Sequence, residues 1–525
     1  MSHLTRTATL DGPEPALVDV EVSSTSGFAG LHLVGNTGDL CRDGKERAKT
    51  ALEKLGLRLG HKRILISLAP ADRRKEGNHF DLAIAVSLAS WAREEPLKVL
   101  PSDFLFAAEL GLEGELRPIR GVIPMLLCAR KQGLKGIVMA AAQQSDLAVL
   151  EHWPEMRENV RLLYFHHLRD VLVWLFEGRQ PDQALAAPDA VRVPRTALAD
   201  FSDMQLTSSQ QRVAEACALG RHSLLLRGTP GTGKSMFAAR LPSLLPRLAA
   251  ERQLEVLELH SLQHERLPLP LLEGYPPFRH PHHSSSPQAL LGTAHEPGDL
   301  ALAHGGILFL DELPEFRRDL LEALREPLEY GSVSISRAQR KVKWRSQVQL
   351  IAACNNCPCG WFGSEQRLCR CSTQKLMQYW GRLSGPILDR IDIHFNMPEL
   401  STAQQSWSAP SGAERQERMQ AMLDRLERAR EFAAPRHQHM GTRDNTDIQD
   451  SQLFAALDWS RDRRAEMVQE LEKLQLSHRS FVRCLRVART LADLDRSQLV
   501  LGSHVQEAAQ WQHLAAAKAR GETLT

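Results

Sequence analysis

The octapeptide GTPGTGKS, Gly228 to Ser235, constrains the fold of this chain more than any other feature, because it stands between an apolar run (SLLLRG) and a helical stretch. Gly228, Gly231 and Gly233 let backbone N–H groups turn inward, and the N-terminus of the following helix adds partial positive charge. A strand, this loop and a helix therefore make a cradle for phosphate oxygens. Thr229, Pro230 and Thr232 complete the loop, Lys234 is placed to reach the β- and γ-phosphates, and Ser235 to ligate magnesium, so the implied ligand is ATP with Mg²⁺. A Gly-rich turn without a ligand is the bland alternative. It loses weight because Gly306 to Glu312 (GILFLDE) reads as a buried strand that delivers two carboxylates at its end. Asp311 suits the magnesium shell, and Glu312 suits a base that orients and activates water.

A third apolar strand, Val348 to Cys354, ends at Asn355, whose neutral amide suits positioning that water; Asn356 beside it competes for the assignment. Arg390, in GPILDRID, is the candidate arginine finger toward a neighbouring subunit's γ-phosphate. Arg479, in SHRSF, is the candidate contact to the nucleotide in cis. On position alone both are more simply surface or ion-pair arginines.

With 525 residues the chain exceeds one core, and length alone suggests roughly three or four domains of about 150 residues. Residues 1–177 mix strand and helix signals: alternation at Val18, Val20 and Val22, a run from Ile64 to Leu68, and a helix with Ala48, Ala51, Leu52 and Leu55 that Gly56 ends. Residues 178–200 are rich in Pro and Ala and read as a linker. Residues 201–398 form the α/β nucleotide-binding core. Residues 399–525 are helical, with Met419, Met422, Leu423 and Leu426 on one face behind a capping box of Ser411 and Glu414. The 65 Lys and Arg against 63 Asp and Glu leave no global field, so any nucleic-acid site must be a local patch. No charged head followed by an apolar run opens the sequence, and no stretch of about 18 apolar residues is present, so a soluble cytoplasmic protein without a membrane partner is expected.

Taken together, GTPGTGKS, PHHSSS, LAHGGILFLDELPEF, SISRAQ, NNCPCG, SGPILDRID and SFVRCLRVARTLADL resemble the Mg-chelatase-like AAA+ ATPases of the ComM family over essentially the whole length. The resemblance implies an AAA+ core with a parallel sheet and a C-terminal helical lid. It also implies a homo-hexameric ring and a DNA helicase that promotes branch migration during natural transformation, and it favours the finger role for Arg390 and the nucleotide contact for Arg479. Asn356 departs from the family's NPCPCG, a change expected to loosen the turn there. In GFAGLHLVG, LAPADRRKEGNHFDLAIAVSL and GELRPIRGVIPM the N-terminal section resembles the Lon-protease-like α+β domain. Peptidase chemistry there needs a Ser nucleophile and a Lys base. The resemblance puts those positions on His79 and Ile123, which implies a non-proteolytic binding or assembly module. Ser87 and Lys131 are out of register and read as structural. A chelatase-type remodeller of a protein partner, or a component of an ATP-dependent protease, are the alternatives.

Between Gly331 and Gln349, SVSIS and VKW alternate around a cluster of Arg337, Arg340, Lys341, Lys343 and Arg345, a basic β-hairpin. In a ring, such an insertion before the Asn355 strand is expected to face the pore and follow DNA phosphates without reading sequence; Trp344 either stacks on a base or packs. Five of nine cysteines lie between Cys354 and Cys371. Cys354 belongs to the strand, whereas Cys357, Cys359, Cys369 and Cys371 offer four thiolates for structural Zn²⁺, with a labile disulfide pair or inert thiols as the alternatives. His280, His282 and His283 are broken by Pro281 and lack a carboxylate partner, so they read as a loop rather than a metal site.

Overall fold

The computed structural model describes residues 4–10, 12, 14–93, 95–148, 160–179, 198–337, 340–383, 385–399, 412–472 and 476–512. Most of the expected linker, residues 180–197, lies outside this set, as does Ser411 of the expected capping box.

Alternation builds the first sheet. Val18, Val20 and Val22 are buried on β2 (Ala16–Thr25), and Ile64, Ile66 and Leu68 on β4 (Arg63–Ala69); the two strands pair antiparallel with Val20 opposite Leu68 and Val22 opposite Ile66. With β1 (Thr5–Thr9), β3 (Gly30–Val34), β5 (Phe104–Ala107), β8 (Gly136–Ala140) and β9 (Arg161–Phe165) they form a seven-stranded mixed sheet in the order β3-β4-β2-β1-β5-β8-β9. A two-strand ribbon, β6 (Glu109–Leu110) with β7 (Leu116–Arg117), sits beside it. The period of two assigns the faces. Phe104 and Phe106 join the helices Asp39–Lys54, Asp81–Ala92 and Leu168–Glu177 on one side, whereas Leu105 and Ala107 join the helix Val122–Lys131 on the other. Gly56, at φ +82, follows the first of these helices in the left-handed region that favours glycine.

The second sheet contains β10 (Leu224–Arg227), β11 (Phe278–Arg279), β12 (Ile307–Leu310), β15 (Gln349–Cys354) and β16 (Ile393–Asn396), in the order β11-β12-β15-β10-β16 with every pair parallel. Helices cover both faces, which is why LLL, ILFL and QLIAAC read as unbroken apolar runs and are buried throughout. The carboxyl ends of β10, β12 and β15 therefore open on one edge, the place where such sheets bind ligands. Between β12 and β15 comes the basic hairpin, β13 (Ser332–Arg337) and β14 (Arg340–Arg345), in register from Ser332 opposite Arg345 to Arg337 opposite Arg340.

The helices Gly412–Met440, Asp450–Ala456, Arg461–Glu472, His478–Leu494 and Gly502–Gln510 close the chain. Met419, Met422 and Leu426 are buried in one apolar cluster with Val213 and Cys217 of the core helix Ser208–Gly220. Arg425 paired with Glu215, and Arg212 paired with Asp495, brace that seam. The N-terminal unit docks through the helix Val122–Lys131: Ile119, Val122 and Ile123 share an apolar cluster with Val256, Leu257 and Leu271 of the core, and Gly121 N–H donates to Ser261 O at 2.6 Å. No helix among the described residues is long and apolar enough to cross a membrane.

Candidate active site

Gly228, Gly231 and Gly233 all have positive φ, at +151°, +83° and +82°, which only glycine adopts without strain, and the helix Lys234–Arg240 starts immediately after them. Lys234 is buried, and its ammonium donates to Gly228 O at 3.0 Å, Thr229 O at 2.9 Å and Asn355 Oδ1 at 3.1 Å. Burial pulls its pKa below the usual lysine value. The two loop carbonyls are exchangeable partners, since phosphate oxygens are the stronger acceptors for an ammonium. Ser235 Oγ donates to Asp311 Oδ2 at 2.6 Å, so the hydroxyl at the head of the helix and the carboxylate after β12 converge. A hydroxyl and a carboxylate in contact beside a phosphate cradle fit a hard cation that prefers oxygen ligands, as magnesium does. Loop, Asp311 and Asn355 thus meet because β10, β15 and β12 are neighbours in that order.

Glu312 stands one residue beyond, with φ +52, a conformation unusual for a non-glycine residue. Its carboxylate lies 3.4 Å from His283 Nδ1, a partner that sequence reasoning missed. His283 also meets Phe316 edge to face, while the His280 ring packs 4.7 Å from Phe309. The RHPHHSSS segment therefore walls the Glu312 carboxylate, and no metal cluster among the described residues includes these histidines.

Arg390 and Arg479 occupy the opposite edge. Arg390 Nη2 donates to Glu329 Oε2 at 2.5 Å, and Arg479 Nη2 lies 3.5 Å from Glu329 Oε1; Arg390 holds the Glu329 carboxyl below its usual range. Ser223, which leads into β10, donates to Arg390 O, and its amide donates to Asp392 just before β16. Both arginines thus lie at the amino ends of the strands, about 13 Å of strand away from the loop. They line a groove of about 910 Å³ with Gly305, Gln347 and Arg483. Arg479, the expected cis contact, lies here beside Glu329, the carboxylate that also binds Arg390. A spacing argument had no access to Glu329, which lies 61 residues from Arg390.

Comparison with known proteins agrees with this geometry. The magnesium chelatase subunit ChlI family matches residues 200–405, the ChlI C-terminal family matches residues 416–512, and the subunit ChlI of Mg-chelatase family matches residues 20–143. The chain is 35% identical over 504 residues to the competence protein ComM of Haemophilus influenzae, spanning 95% of this chain and 94% of that protein. It is 34% identical over 500 residues to the uncharacterized protein YifB of Escherichia coli, 94% of each. The chain belongs to the magnesium-chelatase family of AAA+ proteins. Membership implies ATPase activity, and the loop, Asp311 and Asn355 are where that activity would sit.

The N-terminal part of this magnesium-chelatase-family chain is also similar to the Lon protease of Halothermothrix orenii, 27% identical over 177 residues, or 32% of this chain and 22% of that protein. The positions that the resemblance gives to the peptidase pair hold His79 and Ile123. His79 is buried with Nε2 3.0 Å from Ala8 O, and burial drives its pKa down to about 4. Ile123 lies in the apolar seam against the core, where a lysine would bury an unpaired charge. Ser87 is buried and donates to Val20 O, and Lys131 is a surface residue, in keeping with the structural role expected of each.

Around β13 to β15 the surroundings decide between the two roles open to Trp344. Trp344 is fully buried and donates Nε1–H to Thr293 O at 2.8 Å, so it packs and does not stack on a base. Arg345 pairs with Glu258 at 3.2 Å and Glu255 at 3.6 Å on the helix Ala250–Ser261 and keeps an exposed side chain. Lys343 is exposed on the same face as Ser334 and Ser336, while the side chains of Arg337, Arg340 and Lys341 lie outside the described set. Asn356, where the family pattern has proline, is buried; its Nδ2 donates to Phe362 O at 3.0 Å, and its backbone carbonyl accepts from Trp380 Nε1 at 3.2 Å. Beyond it the sulfurs of Cys357, Cys359, Cys369 and Cys371 all lie within 4.8 Å of one another, while Cys354 is buried on β15.

Proposed function

We propose that this ATPase is a cytoplasmic DNA translocase that moves branched junctions as a homo-hexameric ring, in recombination that follows DNA uptake, the setting that the name of the competence protein ComM suggests. The observation that carries the reading is the hairpin. Val333, Val342 and Trp344 bury one face of it, and the other holds Lys343 opposite Ser334 and the Lys341 position opposite Ser336, a cationic and hydroxyl-bearing stripe suited to phosphates of any sequence. A ring is supported by the arginines: Arg390 and Arg479 on the edge away from the loop suit a nucleotide held by a neighbour.

Hydrolysis then divides among residues of two subunits. The loop amides and Lys234 hold the phosphates, and Asn355 holds the attacking water. Glu312 takes the proton as the water oxygen bonds to the γ-phosphorus and the bond to the ADP oxygen breaks, giving ADP and inorganic phosphate. Ser235 and Asp311 would hold Mg²⁺, which when bound neutralises charge on the β- and γ-phosphate oxygens. Arg390 balances the charge that develops on the transferred group. The four clustered cysteines suit a structural Zn²⁺.

The test is a four-way DNA junction offered to purified protein with and without ATP. ATP-dependent strand exchange is the expected result. DNA-independent turnover with no movement of the junction would hand the case to remodelling of a protein partner.

A further inference from the structure

We infer that the four-cysteine knuckle is a strut for the phosphate-binding loop, so that Zn²⁺ held by its thiolates sets the affinity for nucleotide. The inference rests on the zinc reading above and goes one step beyond it. In a tetrahedral Zn(Cys)₄ site, bonds of about 2.3 Å put sulfurs about 3.8 Å apart. The Sγ separations are 3.3 Å for Cys357 to Cys359, 3.7 Å for Cys357 to Cys369 and 3.6 Å for Cys359 to Cys369. Backbone N–H groups of Phe362 and Cys371 point at Cys357 Sγ and Cys369 Sγ, the arrangement that stabilises thiolate ligands.

The knuckle touches the nucleotide loop directly. Gly360 follows Cys359 at φ +87, and a Cβ added there would lie 2.5 Å from Pro230 Cγ and 2.6 Å from Pro230 Cδ, so the backbone of the knuckle is seated on the middle of the loop. A second path runs through Asn355, two residues before Cys357, which accepts from Lys234. Tyr379 Oη and Trp380 Nε1 pin the carbonyls of Asn355 and Asn356, and both belong to the helix Thr373–Gly381, whose N-cap is Ser372, next to Cys371. Residues 355–372 contain no regular element, so the thiolate–metal bonds are the cross-link that would give this segment its shape. Without that cross-link, Gly360 is free to leave Pro230, and the loop loses its outer wall.

Linkage makes the claim testable in both directions, because a metal that tightens nucleotide binding must itself be tightened by nucleotide to the same extent. Full-length protein, kept reduced and never exposed to chelator, should carry one zinc per chain. Stripping the metal with a mercurial followed by thiol exchange should weaken Mg-ADP binding tenfold or more, with recovery on return of Zn²⁺, and Mg-ADP should tighten zinc retention by the same factor. Gly360→Ala should keep its zinc and still bind Mg-ADP more weakly, which keeps the test available if the stripped chain unfolds. Zinc at one per chain, with equal Mg-ADP affinity in the loaded protein, the stripped protein and the Gly360→Ala variant, would overturn the strut and leave the zinc reading standing. Absence of zinc from the reduced protein would overturn both.

Discussion

At the scale of single residues, the nucleotide site is held by groups that have few alternatives. The ammonium of Lys234 is satisfied by three oxygens in a buried position, so Lys234→Ala removes the one cation positioned between the loop and Asn355. Loss of measurable ATP binding is expected in equilibrium titration. Glu312→Gln keeps the shape but not the base; binding should survive while turnover falls by about 10²–10⁴-fold, and a turnover equal to the parent's would remove the base assignment. A pH dependence sits in the N-terminal unit. His79 is fully buried with its pKa pulled down to about 4 by burial, against about 6.5 when unfolded. Its contribution to stability is therefore present above pH 6.5 and is lost as pH falls through 4, roughly 3 kcal/mol in all. Urea unfolding should show His79→Gln losing less stability than the parent between pH 7 and pH 4; parallel profiles would contradict this. Lys234, Ser235, Asp311 and Asn355 were legible from sequence because each is tied to the end of an apolar run. His283 beside Glu312, and Glu329 between Arg390 and Arg479, were not, because segments far apart in sequence meet there and no local pattern marks them.

At the scale of elements, the hairpin shows how a period of two sorts side chains of one segment into different jobs. The alternation in SVSIS and VKW was readable, but which face is buried depends on the floor beneath, where Thr293 O receives Trp344, while Arg345 on the Lys343 face pairs with Glu255 and Glu258. An exposed aromatic beside a basic cluster reads as a stacking platform until that floor is known. Trp344→Ala should accordingly cost about 3–5 kcal/mol of stability, measured by denaturant unfolding. Lys343→Ala should leave stability within about 0.5 kcal/mol. It should also lower DNA affinity and reduce the salt slope by about one ion. Unaltered DNA binding in Lys343→Ala and in a combined Arg337, Arg340 and Lys341 variant would remove the hairpin from the interface. Context likewise gives Asn356 a partner that no local pattern marks, since its side-chain amide donates to Phe362 O across the turn.

At the scale of the whole molecule, the sheet separates the phosphate-binding loop from the two candidate arginines. Loop, Asp311 and Asn355 sit at the carboxyl ends of the strands, whereas Arg390, Arg479 and Glu329 sit at the amino ends, so one chain carries a phosphate cradle on one edge and the guanidinium groups on the other. On the ring proposed above, a chain built this way would complete a site by placing its arginine edge against the loop edge of the next copy, a heterologous contact. Arg390→Ala should then bind ATP normally yet lose most turnover; the Arg390 side chain is only 9% exposed, so denaturant unfolding of the variant accompanies the assay. Lys234→Ala should be inactive for the opposite reason. Mixed in equal amounts, the two inactive variants should regain turnover, because about a quarter of randomly formed interfaces pair an intact loop with an intact arginine. If each arginine served its own chain, every site in the mixture would still lack one half and no activity would return, so the mixture distinguishes a shared site from a private one without any structure of the ring.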